Sequence, residues 1–296
     1  MPRVPEKVRV ELIRAAGLPR PGYFENDPVH FAHLYSRPGD QEVVALISAL
    51  LAFGKVRAFS PKVESVLKVM GTSPRDYALE FVASRDRPFF RCFRSRVYKG
   101  DDLRLLLCNL ARVLREHATL EDAFLAAQAG ATFHSRLTAF AHLFYREDPK
   151  NIIEAREYPR GYRHLACDPA LGGASKRWNL FLRWVVRPAD GVDLGIWTRV
   201  SPADLIMPLD IHVGRISSLI GLRKRRTNDW KAAEEVTASL RELAPEDPLR
   251  FDFPLSHIGI SERCRGRWVE EVCEKCSIRT ICKAARRRLR QPGERI

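Results

Sequence analysis

The segment Lys176–Val186, KRWNLFLRWVV, constrains this chain most, because it is apolar on nearly every side. Trp178, Phe181, Leu182 and Val185 follow the i, i+3, i+4, i+7 spacing of one helical face, and Leu180, Trp184 and Val186 fill the faces between. Such a helix cannot lie on a surface; it has to run through the centre of a protein, with other elements wrapped around it. The remaining sequence offers helices for that purpose. Apolar periodicity predicts them over 7–16, 41–53, 61–70, 101–115, 120–127, 132–145, 211–220 and 229–242, with one more after Cys282. Alternating Val/Ile/Thr runs bounded by turns, the mark of strands, are missing. The fold class read from this pattern is all-α.

Local signals punctuate the helices. Asp40 stands before the second, Ser60-Pro61 opens the third, Thr119 precedes Leu-Glu-Asp, and Asn228 precedes a tryptophan-led amphipathic run. Gly71 and Gly221 fit helix stops. Two stretches, 148–175 and 188–207, read as irregular, the first being rich in Pro, Gly and charge.

With 296 residues, 45% of them apolar, the chain is long enough for one large domain or two smaller ones. Its formal net charge is +14, from 50 Lys+Arg against 36 Asp+Glu. The excess gathers in Arg223-Lys224-Arg225-Arg226 and again beyond residue 261. A polyanion partner is the simplest reading, and a solvated basic surface is the plainer alternative. The opening MPRVPEKVRVELIRAAG has charges spread through it, and the longest apolar run, 43–53, is interrupted by Ser48 and too short to span a bilayer. A cytosolic protein is expected. Thiols stay reduced there, so clustered cysteines point to metal or redox chemistry rather than to disulfides.

Four cysteines cluster near the end with the spacing Cys264-x8-Cys273-x2-Cys276-x5-Cys282. A pair two residues apart chelates one centre, and two further thiolates complete a tetrahedral set for zinc or for an iron–sulfur cubane. The ligands alone do not choose between these, and buried thiols without metal remain the third option. Arg263, Arg265, Arg267 and Lys275 would offset the negative charge of such a site.

This arrangement resembles the endonuclease III branch of the helix-hairpin-helix DNA glycosylases, whose cysteines are spaced x6, x2, x5. The resemblance implies a structural [4Fe–4S] cluster, zinc being the alternative, in a loop that lies on the DNA backbone, with Arg265 and Arg267 facing phosphates. Upstream, MPLDIHVGRISSLIGL places Asp210, His212 and Arg215 in register with the family's Val-Asp-Thr-His-Val/Ile-x-Arg, which carries its catalytic aspartate. Read without the family, Asp210 is an N-cap for the helix 211–220, and His212 and Arg215 are packing and capping residues.

In GGASKRWN, Lys176 and Asn179 match the Lys-Thr-Ala-Asn of lysine-bearing members. The resemblance makes Asp210 the carboxylate that stabilises a sugar cation and Lys176 the nucleophile of a Schiff base. The positive end of a helix dipole disfavours an ammonium and favours a carboxylate, as does neighbouring Arg177; a plain solvent-facing lysine is the alternative. Where the family has Leu-Pro-Gly-x-Gly, this chain has Ala170-Leu171-Gly172-Gly173-Ala174, so Gly172 and Gly173 would offer backbone N–H groups to phosphate. The longer Lys176–Asp210 separation is closer to that of the archaeal 8-oxoguanine glycosylases. The whole-chain layout looks most like an uncharacterised bacterial group, formerly a domain-of-unknown-function family, related to both.

The resemblance further implies a two-lobed fold: a helical barrel over 38–187, and a second lobe of 1–37 with 188–296 carrying the cysteine loop, 264–282. Phe53 stands where the family has a wedge residue, with Lys55 beside it on the DNA, although a phenylalanine closing an apolar helix is also a core residue. RPFFRCFRSRVYKGDD, 87–102, interleaves aromatics and cations as base-stacking surfaces do. Tyr162 and His164 are base-pocket candidates by position. The implied function is base-excision repair of a damaged base in double-stranded DNA, with no membrane and no obligate protein partner, in the bacterial cytoplasm at the nucleoid. The alternatives are a non-catalytic nucleic-acid-binding iron–sulfur protein of the same fold and a zinc-stapled helical scaffold with no nucleic-acid role.

Overall fold

The computed structural model describes residues 4–17, 27–83, 87–127, 132–260 and 262–289, so most of the basic tail lies outside the described residues. Among the described residues the regular elements are helices except for a ribbon of two short strands, Arg94–Ser95 and Tyr98–Lys99, paired antiparallel with Arg94 opposite Lys99. Helices Lys176–Val186 and Ile211–Ile220 have the predicted limits. The third helix, Val56–Met70, begins earlier than Ser60-Pro61 suggests and takes Pro61 into its interior. Within 148–175, expected to be irregular, lie the helices Pro149–Ile153 and Arg160–Leu165 and the 3-10 turn Pro169–Leu171.

The chain forms two compact units. The larger comprises Pro21–Leu171 and Leu180–Val200; the smaller comprises Met1–Arg20, Gly172–Asn179 and Ser201–Ile296. In the larger unit the helix Pro38–Leu51 is buried on all sides, from Val43 through Leu51. Phe181, Leu182, Trp184 and Val185 of Lys176–Val186 are equally inaccessible. Each such side chain contributes about 1.5–3 kcal/mol by leaving water.

Burial of so much apolar surface carries charged groups inside, and each of these has partners. The Glu42 carboxylate accepts the N–H groups of Leu120 and Glu121, at 3.0 and 3.2 Å, and the indole N–H of Trp197 at 2.5 Å. It thereby closes the start of the Leu120–Ala126 helix, where Thr119 also accepts from the Asp122 N–H as predicted. Asp193, wholly buried, lies between Arg183 and Arg187, which are 2% and 5% exposed. Burial pushes the carboxyl of Glu42 up to about 7 and that of Asp193 up to about 6.

In the smaller unit, Ile211–Ile220 packs on Asp252–Ile260, while Glu6–Ala16 and Trp230–Arg241 pack on the 3-10 turn Pro248–Phe251. The first pair approaches closely because position 259 is glycine: a Cβ there would fall 2.7 Å from the Cβ of His212. His212 Nδ1 lies 3.1 Å from the Gly259 carbonyl oxygen and fixes the register of the two helices. Gly221, with φ +87°, ends the Ile211–Ile220 helix in the left-handed conformation that its sequence predicts.

The iron–sulfur loop expected as part of this fold is corrected by the structure. Among the described residues, no three His, Cys, Asp or Glu side chains converge in an arrangement able to hold a metal ion. Cys264, Cys273, Cys276 and Cys282 all border one cavity, but its volume is about 20 Å³ and Leu219 and Val272 also line it. That is space for roughly one water, too little for a cubane. The same lack of convergence among the described residues argues against zinc. Two of the thiols meet backbone donors: Cys264 Sγ accepts the Gly266 N–H at 3.5 Å and Cys273 Sγ the Val269 N–H at 3.4 Å.

Candidate active site

Both residues of the expected catalytic pair belong to the smaller unit. Lys176 opens its helix after a turn built by Gly172, Gly173, Ala174 and Ser175. Gly172 has φ +75° and Ser175 has φ +47°, a strained value for a residue with a side chain. The turn is held at both ends. Asn179 donates its backbone N–H to the Ser175 carbonyl at 3.0 Å and its side-chain amide to the Ala174 carbonyl at 3.1 Å. The Gly172 carbonyl accepts the Trp230 N–H at 3.0 Å, and Gly173 forms an isolated bridge with Asp229.

Asp229 in turn caps the Trp230–Arg241 helix through Ala232 N–H, a role that the sequence assigned to Asn228. Its carboxylate also receives Arg225 Nε and Nη2, at 3.1 and 2.5 Å, and the Thr227 hydroxyl at 2.7 Å. Arg225, then Thr227, hold that carboxyl well below the usual range. The basic block 223–226 is therefore partly internal bracing: Arg223 is buried and Arg225 paired, while Lys224 and Arg226 are exposed.

Asp210 divides its two oxygens between two tasks. Oδ1 accepts the N–H groups of His212 and Val213, both at 2.8 Å, and so caps the Ile211–Ile220 helix. Oδ2 lies 3.8 Å from Lys176 Nζ, with side-chain exposures of 37% for the lysine and 21% for the aspartate. The cap and the ion pair are thus compatible. A carboxylate and an amine side by side, both reached by solvent, can stabilise a cation and form a covalent adduct with a carbonyl-like carbon.

The residues around the pair act on its position. Asn228 donates its amide to the Asp210 carbonyl at 3.1 Å, and a Cβ at Gly214 would fall 2.6 Å from Asn228 Oδ1. Arg215 donates to the Cys264 carbonyl, tying the aspartate helix to the cysteine segment. Neither Asn228 nor Gly214 was legible as a support for Asp210; a glycine on the buried face of a helix is the signal that marks such a close approach.

The other expected site residues are scattered. Gly172, Gly173, Lys55, Arg265 and Arg267 are exposed. Arg177, which the resemblance places among the DNA-contacting residues, is buried, with 8% of its surface exposed. Tyr162, the base-pocket candidate, is fully buried, its hydroxyl donates to the Phe144 carbonyl, and its ring stacks on Tyr158 at 4.9 Å. Phe53 and His164 line a cleft in the larger unit. Of the aromatics in 87–102, Phe90, Phe93 and Tyr98 are core residues, whereas the cations Arg91, Arg94, Arg96 and Lys99 are exposed.

The fold and this site define an all-helical protein of two compact units, the smaller carrying a lysine–aspartate pair at two helix starts. Residues 27–261 match the family described as "Protein of unknown function (DUF2400)", and the chain belongs to that family. No curated protein and no solved structure matches it.

Proposed function

We propose that the protein is a DNA glycosylase that removes a damaged base, with Schiff-base lyase chemistry at Lys176. The observation that carries this reading is the 3.8 Å approach of Lys176 Nζ to Asp210 Oδ2, the oxygen that the helix cap leaves over. In the reaction the C1′–N bond breaks and its electron pair leaves with the base, which takes up a proton. The positive charge growing on the sugar is faced by Asp210 Oδ2. Lys176 gives its ammonium proton to water, its amine bonds to C1′, the sugar ring opens to an imine, and loss of a C2′ proton then expels the 3′ phosphate. Double-stranded DNA is the proposed partner, and the net charge of +14 suits a polyanion. No helix of the described residues is long and apolar enough to cross a membrane.

The test is borohydride trapping with the full chain and duplexes carrying a panel of base lesions. A covalent protein–DNA adduct that forms with one lesion and disappears in Lys176→Gln is the expected result. A second reading, a nucleic-acid binder without catalysis, draws on the exposed Lys224, Arg226, Arg265 and Arg267. Tight, salt-dependent duplex binding without any adduct would favour it, and the absence of both would remove both readings.

A further inference from the structure

The larger unit carries a cleft that the chemistry above does not use. Its volume is about 810 Å³, and Phe53, Arg96, Lys99, Asp102, Arg160 and His164 are among the residues that line it. That size falls in the range of small-molecule sites, roughly 300–1,000 Å³.

The aromatic side of the cleft is built with care for one contact. The Arg96 guanidinium lies over the Phe53 ring, 4.5 Å from its centroid. Gly54 makes this possible, because a Cβ at that position would sit 1.8 Å from Arg96 Nη1. Arg96 itself holds φ +55° at the turn of the two-stranded ribbon, a conformation that costs a residue with a side chain. His164 meets Phe53 edge-on at 4.6 Å, and its Nδ1 lies 2.9 Å from the hydroxyl of buried Tyr98, which fixes the ring. The result is a guanidinium plane and two aromatic rings held in a set relation.

Charge decides what else the cleft accepts. Arg96, Lys99 and Arg160 are exposed and make no salt bridge among the described residues. The carboxylates nearby are already committed: Asp101 pairs with Arg104 at 3.0 Å, and Asp102, 2% exposed, accepts the Lys99 N–H at 2.7 Å. Three cations thus line the cleft together with the two rings, beside the paired carboxylates of Asp101 and Asp102. An inorganic anion would leave the rings unused, and an uncharged ring would leave the cations unused.

We propose that this cleft binds a nucleotide, with its base against Phe53, His164 and the Arg96 plane and its phosphate on Lys99 and Arg160. Neither Lys176 nor Asp210 is among the residues that line the cleft. A free mononucleotide and one nucleotide of a single strand present the same chemistry, and the arms of the test separate them.

Isothermal titration of the full chain with deoxyadenosine 5′-monophosphate, deoxyadenosine, inorganic phosphate and a single-stranded oligodeoxyadenylate at fixed salt tests the proposal. The monophosphate should bind about tenfold more tightly than either the nucleoside or phosphate, and Phe53→Ala and Arg160→Ala should each weaken it about five- to tenfold. Lys176→Gln should leave its affinity unchanged, so failure here is distinct from failure of the glycosylase reading. Tighter binding of the oligonucleotide would support a strand as the source, and equal binding a free nucleotide. Monophosphate binding no tighter than phosphate, or unchanged in Arg160→Ala and Lys99→Ala, would overturn the proposal. Should Phe53→Ala fail to fold, the two exposed cations still decide the matter.

Discussion

Replacing Asp210 separates the work of its two oxygens. In Asp210→Ala the His212 and Val213 N–H groups, each now 2.8 Å from Oδ1, lose their acceptor. Loss of an N-cap costs about 1 kcal/mol, which lowers Tm by about 1–2 °C in a protein of this size. Asp210→Asn keeps the cap, since the amide oxygen accepts both bonds, and removes only the charge facing Lys176. A bare Coulomb term at 3.8 Å is about 4 kcal/mol at an effective dielectric of about 20. Solvent reaches both partners, and partly exposed pairs of this kind contribute under about 1 kcal/mol. The asparagine variant should therefore melt close to the parent yet form the borohydride adduct about 10²- to 10³-fold more slowly, the loss typical of removing one charge-stabilising group. The alanine variant should show both losses. Differential scanning calorimetry and timed trapping measure the two effects. An asparagine variant that traps at the parent rate would show that Oδ2 takes no part and leave Asp210 as a helix cap alone.

Three further outcomes follow from the packing. Asp193→Ala removes the buried carboxylate that Arg183 and Arg187 share, leaving Arg187 its pair with Asp190 at 3.3 Å, and should cost about 3–5 kcal/mol in urea unfolding; a loss under about 1 kcal/mol would show that the remaining contacts suffice. Glu42, with its carboxyl raised from 4.5 to about 7, contributes stability that is complete below pH 4.5 and is lost as pH rises through about 7. That loss amounts to about 3 kcal/mol by about pH 8. Subtracting the Glu42→Gln curve from the parent's should leave this Glu42 slope alone, since the subtraction cancels Asp193, whose loss has the same sign between 3.8 and about 6; an equal slope in both would refute the assignment. Gly259→Ala places a Cβ 2.7 Å from His212 Cβ and should cost about 1–3 kcal/mol by forcing the two helices apart. It should also slow trapping by displacing Asp210, whereas a variant that melts and traps like the parent would show that the interface has slack.

The helices were legible where one physical signal governed them. Lys176–Val186 is apolar all round, and Ile211–Ile220 lies between an aspartate that caps it and a glycine that stops it, so both ends were readable. Pro61 misled because a proline is usual in a first turn, yet here it sits inside Val56–Met70, where the helix forgoes one backbone bond. The helices within 148–175 span five and six residues, too few for a period to emerge. Tyr162 and His164 show the limit for side chains. They are two apart on one short helix and so point in nearly opposite directions, and only tertiary packing determines that the tyrosine enters the core and the histidine the cleft. The cysteines failed for a related reason: spacing along a chain states which thiols are able to meet, and convergence in space is a separate fact.

The carboxylate of Glu42 joins segments far apart in the chain, its partners lying 78, 79 and 155 positions away. No local search of the polypeptide assembles such a junction, because long loops must close before any of its bonds is made. During synthesis residue 42 leaves the ribosome long before its indole partner exists, and until residue 197 has emerged one of its three bonds cannot form. The centre of the larger unit is therefore finished late, and a nascent chain halted before that point carries an acidic group with an incomplete set of donors.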